Sequence, residues 1–203
     1  MTHILSVFIL SIILISSCTT LAPRDGKDAK PLQDSNNKED DQNVVYASVI
    51  KSMYINKETD IVVIYSQTLP IDAIISDWDK TSNYLKYNLP LVPEETLKNF
   101  REINRQPYIF NLTLNLPVKY VFINSEESNS VLNNGGWLQF YEKYPKSQGI
   151  LSFSRVSFSY DKKQALVYVQ NQRSYNIGNS FFLRLTNEGD GWNIKDKYQW
   201  SVS

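Results

Sequence analysis

The chain has 203 residues, with Lys and Arg numbering 21 against 21 Asp and Glu. A formal net charge of zero removes the field that sequence-independent nucleic-acid binding requires, and it argues against recruitment to anionic lipid by a basic patch. A hydrophobic content of 42% is that of an ordinary globular protein.

Residues 4–15 (ILSVFILSIILI) form a continuous apolar run. At about a dozen residues the run is shorter than the roughly 20 that span a bilayer, which predicts the apolar segment of a signal peptide. Directly after it come Ile15, Ser16, Ser17 and Cys18: aliphatic, small, small, cysteine. This pattern resembles the lipobox of bacterial lipoproteins. The resemblance implies that residues 1–17 are removed and that Ile15, Ser16 and Ser17 are read during processing. It also implies that Cys18 receives diacylglycerol and a further acyl chain such as palmitate. One chain gives marginal membrane binding and two or three hold stably. The implied address is the bacterial cell envelope. With Thr19 after the cysteine it is the periplasmic face of the outer membrane in a Gram-negative organism, and the outer leaflet of the plasma membrane in a Gram-positive one. Cys18 is the only cysteine, so no internal disulfide is available although the compartment would permit one.

Residues 18–43 are expected to be the lipidated cysteine and a disordered tether, because this polar, charged stretch offers little to offset its ordering entropy. As a flexible coil the tether would span about 25–30 Å. Residues 44–203 are expected to form a single domain of about 160 residues, enough to bury roughly 70% of its unfolded surface.

Val45, Tyr46, Val49, Ile50 and Met53 fall at helical spacing and predict an amphipathic helix over 44–54. Residues 61–65 read as a buried strand, and 71–78 fit either a short helix or an extended piece. Pro93, Glu94 and Glu95 open a helix, with acids in its positive first turn and Leu97, Phe100 and Ile103 as its stripe. Phe110, Leu112, Leu114 and Leu116 alternate with polar residues as in a half-buried strand that Pro117 ends. Residues 118–123 make another strand, 124–136 a polar loop, and Trp137, Phe140, Tyr141 and Tyr144 a helix stopped by Pro145.

The remaining residues predict a four-stranded antiparallel meander. Leu151 and Phe153 share one parity while Val156, Phe158 and Tyr160 share the other, so a bulge near Ser154 or Arg155 is expected. Residues 165–169 are apolar on both parities, as in a central strand covered on both faces. Phe181, Leu183 and Leu185, then Trp192 and Ile194, with Tyr198 and Trp200, alternate with polar residues around a hairpin turn at 187–191. The fold class expected is α+β: N-terminal helices packed on an antiparallel sheet that ends in this meander.

His3 is the only histidine, and cleavage before Cys18 would remove it. The mature chain then has no imidazole and no free thiol. That excludes Ser-His-Asp and Cys-His nucleophiles and zinc sites built on His or Cys. No phosphate loop or dinucleotide fingerprint is present, and neither cofactor nor metal is expected. Ser48 and Lys51 match an S-x-x-K pattern without its companion elements. The pairs Asp77/Asp79, Glu94/Glu95 and Glu126/Glu127 could serve as acid and base, although helix dipoles and solvated loops account for them. Asn187, Glu188 and Asp190 lack a full calcium ligand set. Two binding features stand out: Arg155 at the predicted bulge, and a stacking surface around Tyr175, Phe182 and Trp200.

Trp137, Phe140, Tyr141, Tyr144 and Pro145, then Ser154-Arg155-Val156, residues 164–168 (QALVY) and Trp200-Ser201 also carry a resemblance. They look like a family of uncharacterised bacterial proteins sharing W-x-x-F-Y-x-x-Y-P, S-R-V-x-F and Q-A-L-V-Y segments. Many members carry cysteines and glycines after Q-A-L-V-Y, where this chain has Arg173, Ser174, Tyr175 and Asn176. The expected function is a lipid-anchored, non-enzymatic envelope protein. It would meet membrane lipid through Cys18 and bind an envelope protein or a peptidoglycan component, with no nucleic-acid role. The alternatives are a hydrolase using Ser/Lys or carboxylates, and a small-ligand binder of cystatin-like or NTF2-like shape.

Overall fold

A computed structural model describes residues 34–202. Residues 1–33, which hold the apolar run, Ile15, Ser16, Ser17 and Cys18, lie outside the described residues. Helix α1 (Asp34–Met53) opens the described chain, followed by β1 (Ile61–Tyr65), α2 (Ile71–Ile74), α3 (Trp78–Asn88), α4 (Glu94–Ile103) and β2 (Lys119–Ile123). Helix α5 (Ser125–Lys143) leads into β3 (Ile150–Phe153), β4 (Ser157–Phe158), β5 (Gln164–Ser174), β6 (Ile177–Asn187) and β7 (Trp192–Val202). The class is α+β, with strand order β2-β1-β3-β5-β6-β7 and β4 paired to β5.

The meander is antiparallel as expected, with β3 and β4 forming its first strand. The rest of the sheet departs from expectation, because β1 pairs parallel with both β2 and β3. Parallel pairs need crossovers; α2–α4 fill the first and α5 the second. The unbroken Ile-Val-Val-Ile of β1 carries the mark of a strand buried on both faces. On one face α1 sets Tyr46, Val49 and Ile50 against Leu151, Val167 and Leu183. On the other, α2–α4 set Leu85, Leu97 and Phe100 against Leu166, Tyr168 and Phe182, and α5 sets Trp137 and Phe140 against Val63 and Ile150. Strand β5 is accordingly buried on both sides at residues 165–169.

Four segments correct the sequence reading. Helix α1 starts at Asp34, so residues 34–43 are helical rather than part of a disordered tether; Gln42 Oε1 and Asp41 Oδ2 tie this end to Val156 N and Lys162 Nζ. Residues 125–136 belong to α5 and are not a loop. Asn124 caps that helix by accepting from Glu127 N at 2.8 Å, and Gly136 at φ 66° marks its kink. Helix α3 was not anticipated; Asp77 caps it by accepting from Lys80 N. Residues 110–116 form no strand. Phe110, Leu112 and Leu116 pack on the α1 core, but the only bridge near this segment among the described residues is Gln67 with Ile109. Pro93 precedes α4 as its N-cap, and the helix itself begins at Glu94.

Candidate functional site

The site begins with the bulge. From Phe153 opposite Val169 to Ser157 opposite Leu166, the first strand advances four residues while β5 advances three. The extra residue returns Val156 to the face of Leu151 and Phe153, and all three are buried in the α1 core. Tyr160, by contrast, does not share that face: it sits in the following turn, 96% exposed.

A bulge leaves backbone groups without ladder partners, and buried side chains supply them here. Ser154 N donates to Tyr168 O, while Tyr168 N donates to Ser154 Oγ at 2.9 Å, so a hydroxyl replaces the carbonyl of the regular ladder. The freed Ser154 carbonyl accepts from Tyr46 Oη at 2.9 Å. Burial holds the Tyr46 hydroxyl far above its ordinary pKa, so it stays a donor. From the end of α4, Asn104 Oδ1 accepts from Arg155 N at 2.7 Å, and its Nδ2 donates to Phe100 O and to Arg155 O. Ser154, Asn104 and Tyr46 are essentially inaccessible to solvent. Ser157 Oγ donates to Thr96 O and accepts from Asn99 Nδ2, pinning α4 to β4.

This scaffold aims Arg155 outward. Its guanidinium carbon lies 4.8 Å from the centre of the Tyr108 ring, at cation–π distance. Its Nε is buried, and no atom of the described residues bonds it. Beside it opens a cleft of about 250 Å³ lined by Asp41, Gln42, Asn99, Val156, Phe158 and Lys162, among others. Lys162 pairs with Asp41 at 3.2 Å. Among the described residues, Arg155 has no carboxylate at ion-pair distance.

The other sequence candidates separate. Phe182 is fully buried, edge-on to Phe100 and Trp200, and cannot offer a stacking face. Trp200 is half-buried at the rim of that core. Tyr175 is 67% exposed at the β5–β6 turn, where its hydroxyl donates to Leu132 O on α5. The three therefore form no common surface, because parity and burial place Phe182 inside while Tyr175 belongs to the turn.

The carboxylate pairs are likewise scattered. Asp77 caps α3, Glu94 pairs with Lys86, and Glu127 accepts from Lys143 and Tyr144. The hydrogen bond from Lys143 holds Glu127 below the usual carboxylate range, a direction opposite to that of a general acid. Ser48 and Lys51 line a shallow groove with Thr113 and Asn115 and meet no carboxylate there. Asn187 accepts from Gly189 N in the hairpin turn, and Glu188 pairs with Lys195. No group of His, Cys, Asp and Glu among the described residues is placed to hold a metal ion. A second groove of about 350 Å³ between α3 and α4 holds Lys86, Lys98, Arg101 and Arg105 beside Glu94 and Glu102.

The residues that build the Arg155 cleft from outside the meander, Asn104, Asn99 and Gln42, were not legible as site residues. Asn104 follows α4 at a position where a cap is ordinary, and nothing in its own neighbourhood points to residue 155. No helix among the described residues is long and apolar enough to cross a membrane. No family model, curated protein or solved structure matches the chain.

Proposed function

We propose that the chain is a lipid-anchored protein of the bacterial cell envelope, non-enzymatic, whose domain binds another envelope component through the Arg155 cleft. The anchoring half of this reading rests on the lipobox at Ile15, Ser16, Ser17 and Cys18. One observation carries the binding half: a half-buried arginine, backed by a buried hydrogen-bonded network, lines a cleft with no carboxylate partner of its own. The half-buried guanidinium has no anionic partner among the described residues, and a carboxylate brought by a partner would supply one. The cleft volume of about 250 Å³ lies below the roughly 300–1,000 Å³ of small-molecule sites, which favours part of a larger partner over an enclosed ligand.

Two measurements on the full chain test the reading. Labelled palmitate is expected to be incorporated and to disappear in Cys18→Ser, with the variant moving from the membrane to the soluble fraction. Incorporation that survives the substitution, or no incorporation at all, contradicts the anchor. For the binding half, crosslinking in envelopes is expected to give an adduct that Arg155→Gln abolishes. An adduct unaffected by that change assigns binding elsewhere.

A further inference from the structure

The chemistry around Arg155 narrows what the cleft takes, on the reading that the domain is a binding module. With Lys162 neutralised by Asp41, the guanidinium of Arg155 supplies the net charge of the cleft. Its planar fork suits an acceptor with two oxygens in one plane, which is a carboxylate. The cleft also borders a strand edge on which no second strand is paired. Strand β4 pairs with β5 on one side only. Ser159 N donates to Gln164 O on that side. Backbone groups alternate in direction along an antiparallel strand, so Phe158 N–H and C=O point away from β5, toward the cleft. Val156 N–H shares this direction and reaches Gln42 Oε1 at the long distance of 3.4 Å. Beyond Phe158, the exposed ring of Tyr160 stands at the rim.

We propose that the cleft binds a short extended peptide by strand addition at β4, with a carboxylate of that peptide, from a side chain or a chain end, held by Arg155. Main-chain pairing supplies affinity and the arginine supplies selection, as in other edge-strand recognition. Charge complementarity selects this occupant. A neutral or basic segment would leave the guanidinium desolvated and unpaired, whereas an acidic one pairs it.

The test uses fluorescent probes and the full chain purified in detergent, read by anisotropy. One probe is a capped peptide of alternating Thr and Val with a central Glu. A second replaces that Glu with Gln, a third is the neutral peptide with a free terminal carboxylate, and a fourth is the Glu probe with N-methylation flanking the Glu. The Glu probe or the free-carboxylate probe is expected to bind at least tenfold more tightly than the Gln probe, and which of them does so assigns the source of the carboxylate. N-methylation is expected to lose that binding. Arg155→Gln should lose it with an unchanged melting temperature, and Arg155→Lys should keep part of it. Equal binding of the Glu, Gln and free-carboxylate probes overturns the proposal, as does full binding by the N-methylated probe or by Arg155→Gln. Acetate displacing the probe at matched concentration also overturns it, since a bare anion would then suffice. Cys18→Ser is expected to bind the probe like wild type, so a failed anchor and a failed peptide site give different results.

Discussion

Two arginines of the meander stand in contrasting surroundings. Arg184, at the centre of β6, is buried, and its Nε donates to Asp196 directly across on β7 while Nη1 reaches Gln164. Arg155, on the bulge at the other side of β5, also has a buried Nε but no acceptor for it among the described residues. The first is closed by the sheet's own register. The second is held in place by Asn104 and Ser154 through its backbone, which leaves the guanidinium over the Tyr108 ring without an ion-pair partner. The difference separates an arginine that holds the fold from one that the fold holds.

The strongest test of the supporting frame is Phe182→Ala. Phe182 touches Phe100, Tyr168 and Trp200 in a closed core, so the change is expected to cost about 3–5 kcal/mol, measured by urea unfolding. A cost under about 1 kcal/mol would return Phe182 to the surface. Next comes the clamp. Asn104→Ala strands Arg155 N–H and Phe100 C=O, and is expected to cost about 3 kcal/mol by the same assay. Arg184→Met should cost about 2 kcal/mol, less than for a fully buried pair because the Asp196 side chain keeps 36% of its exposure. Arg155→Met should cost under about 1 kcal/mol. Equal losses at 155 and 184 would erase the contrast between the two arginines.

The smallest expected effect lies on α5. Glu127 accepts from Lys143 Nζ and Tyr144 Oη, both at 2.7 Å, and Lys143 in turn is raised above its ordinary value by the same bond. The ion pair is partly exposed, so Glu127→Gln should cost only about 0.5 kcal/mol at neutral pH. A depressed carboxylate contributes stability above its ordinary 4.5, and loses it as pH falls through its lowered folded value. A raised lysine contributes below its ordinary 10.5 and loses it as pH rises through the folded value. Wild type and variant should therefore converge in melting temperature at the acid end of a titration. A gap that widens there would reverse the sign.

The C-terminal half of the chain was readable because its signals are local. A period of two, a turn rich in Gly and Asn, and a parity slip at Ser154 report pairing directly, and the slip located the bulge. Residues 110–116 show where that logic fails. Their alternation reports one buried side, which a segment crossing the core shows as well as a strand does. The polar sequence of 124–136 hid a helix whose best marker was its cap, Asn124 followed by Glu127. The parallel pairing of β1 was available only in its unbroken apolar run. Arg155 was legible as a bulge residue; its cleft was not, because Asn99, Asn104 and Gln42 reach it from helices 51 or more residues away in sequence.

The contrast between the two arginines can be read at the atoms themselves, with arginine side chains labelled by nitrogen-15 in the full chain. Addition of the carboxylate-bearing peptide probe that binds should shift the Arg155 Nε–H resonance and leave that of Arg184 in place, while the Gln probe moves neither. If Arg155 stays unmoved at saturation, or if both arginines shift together, the cleft is not a carboxylate site and Arg155 is a structural residue like Arg184.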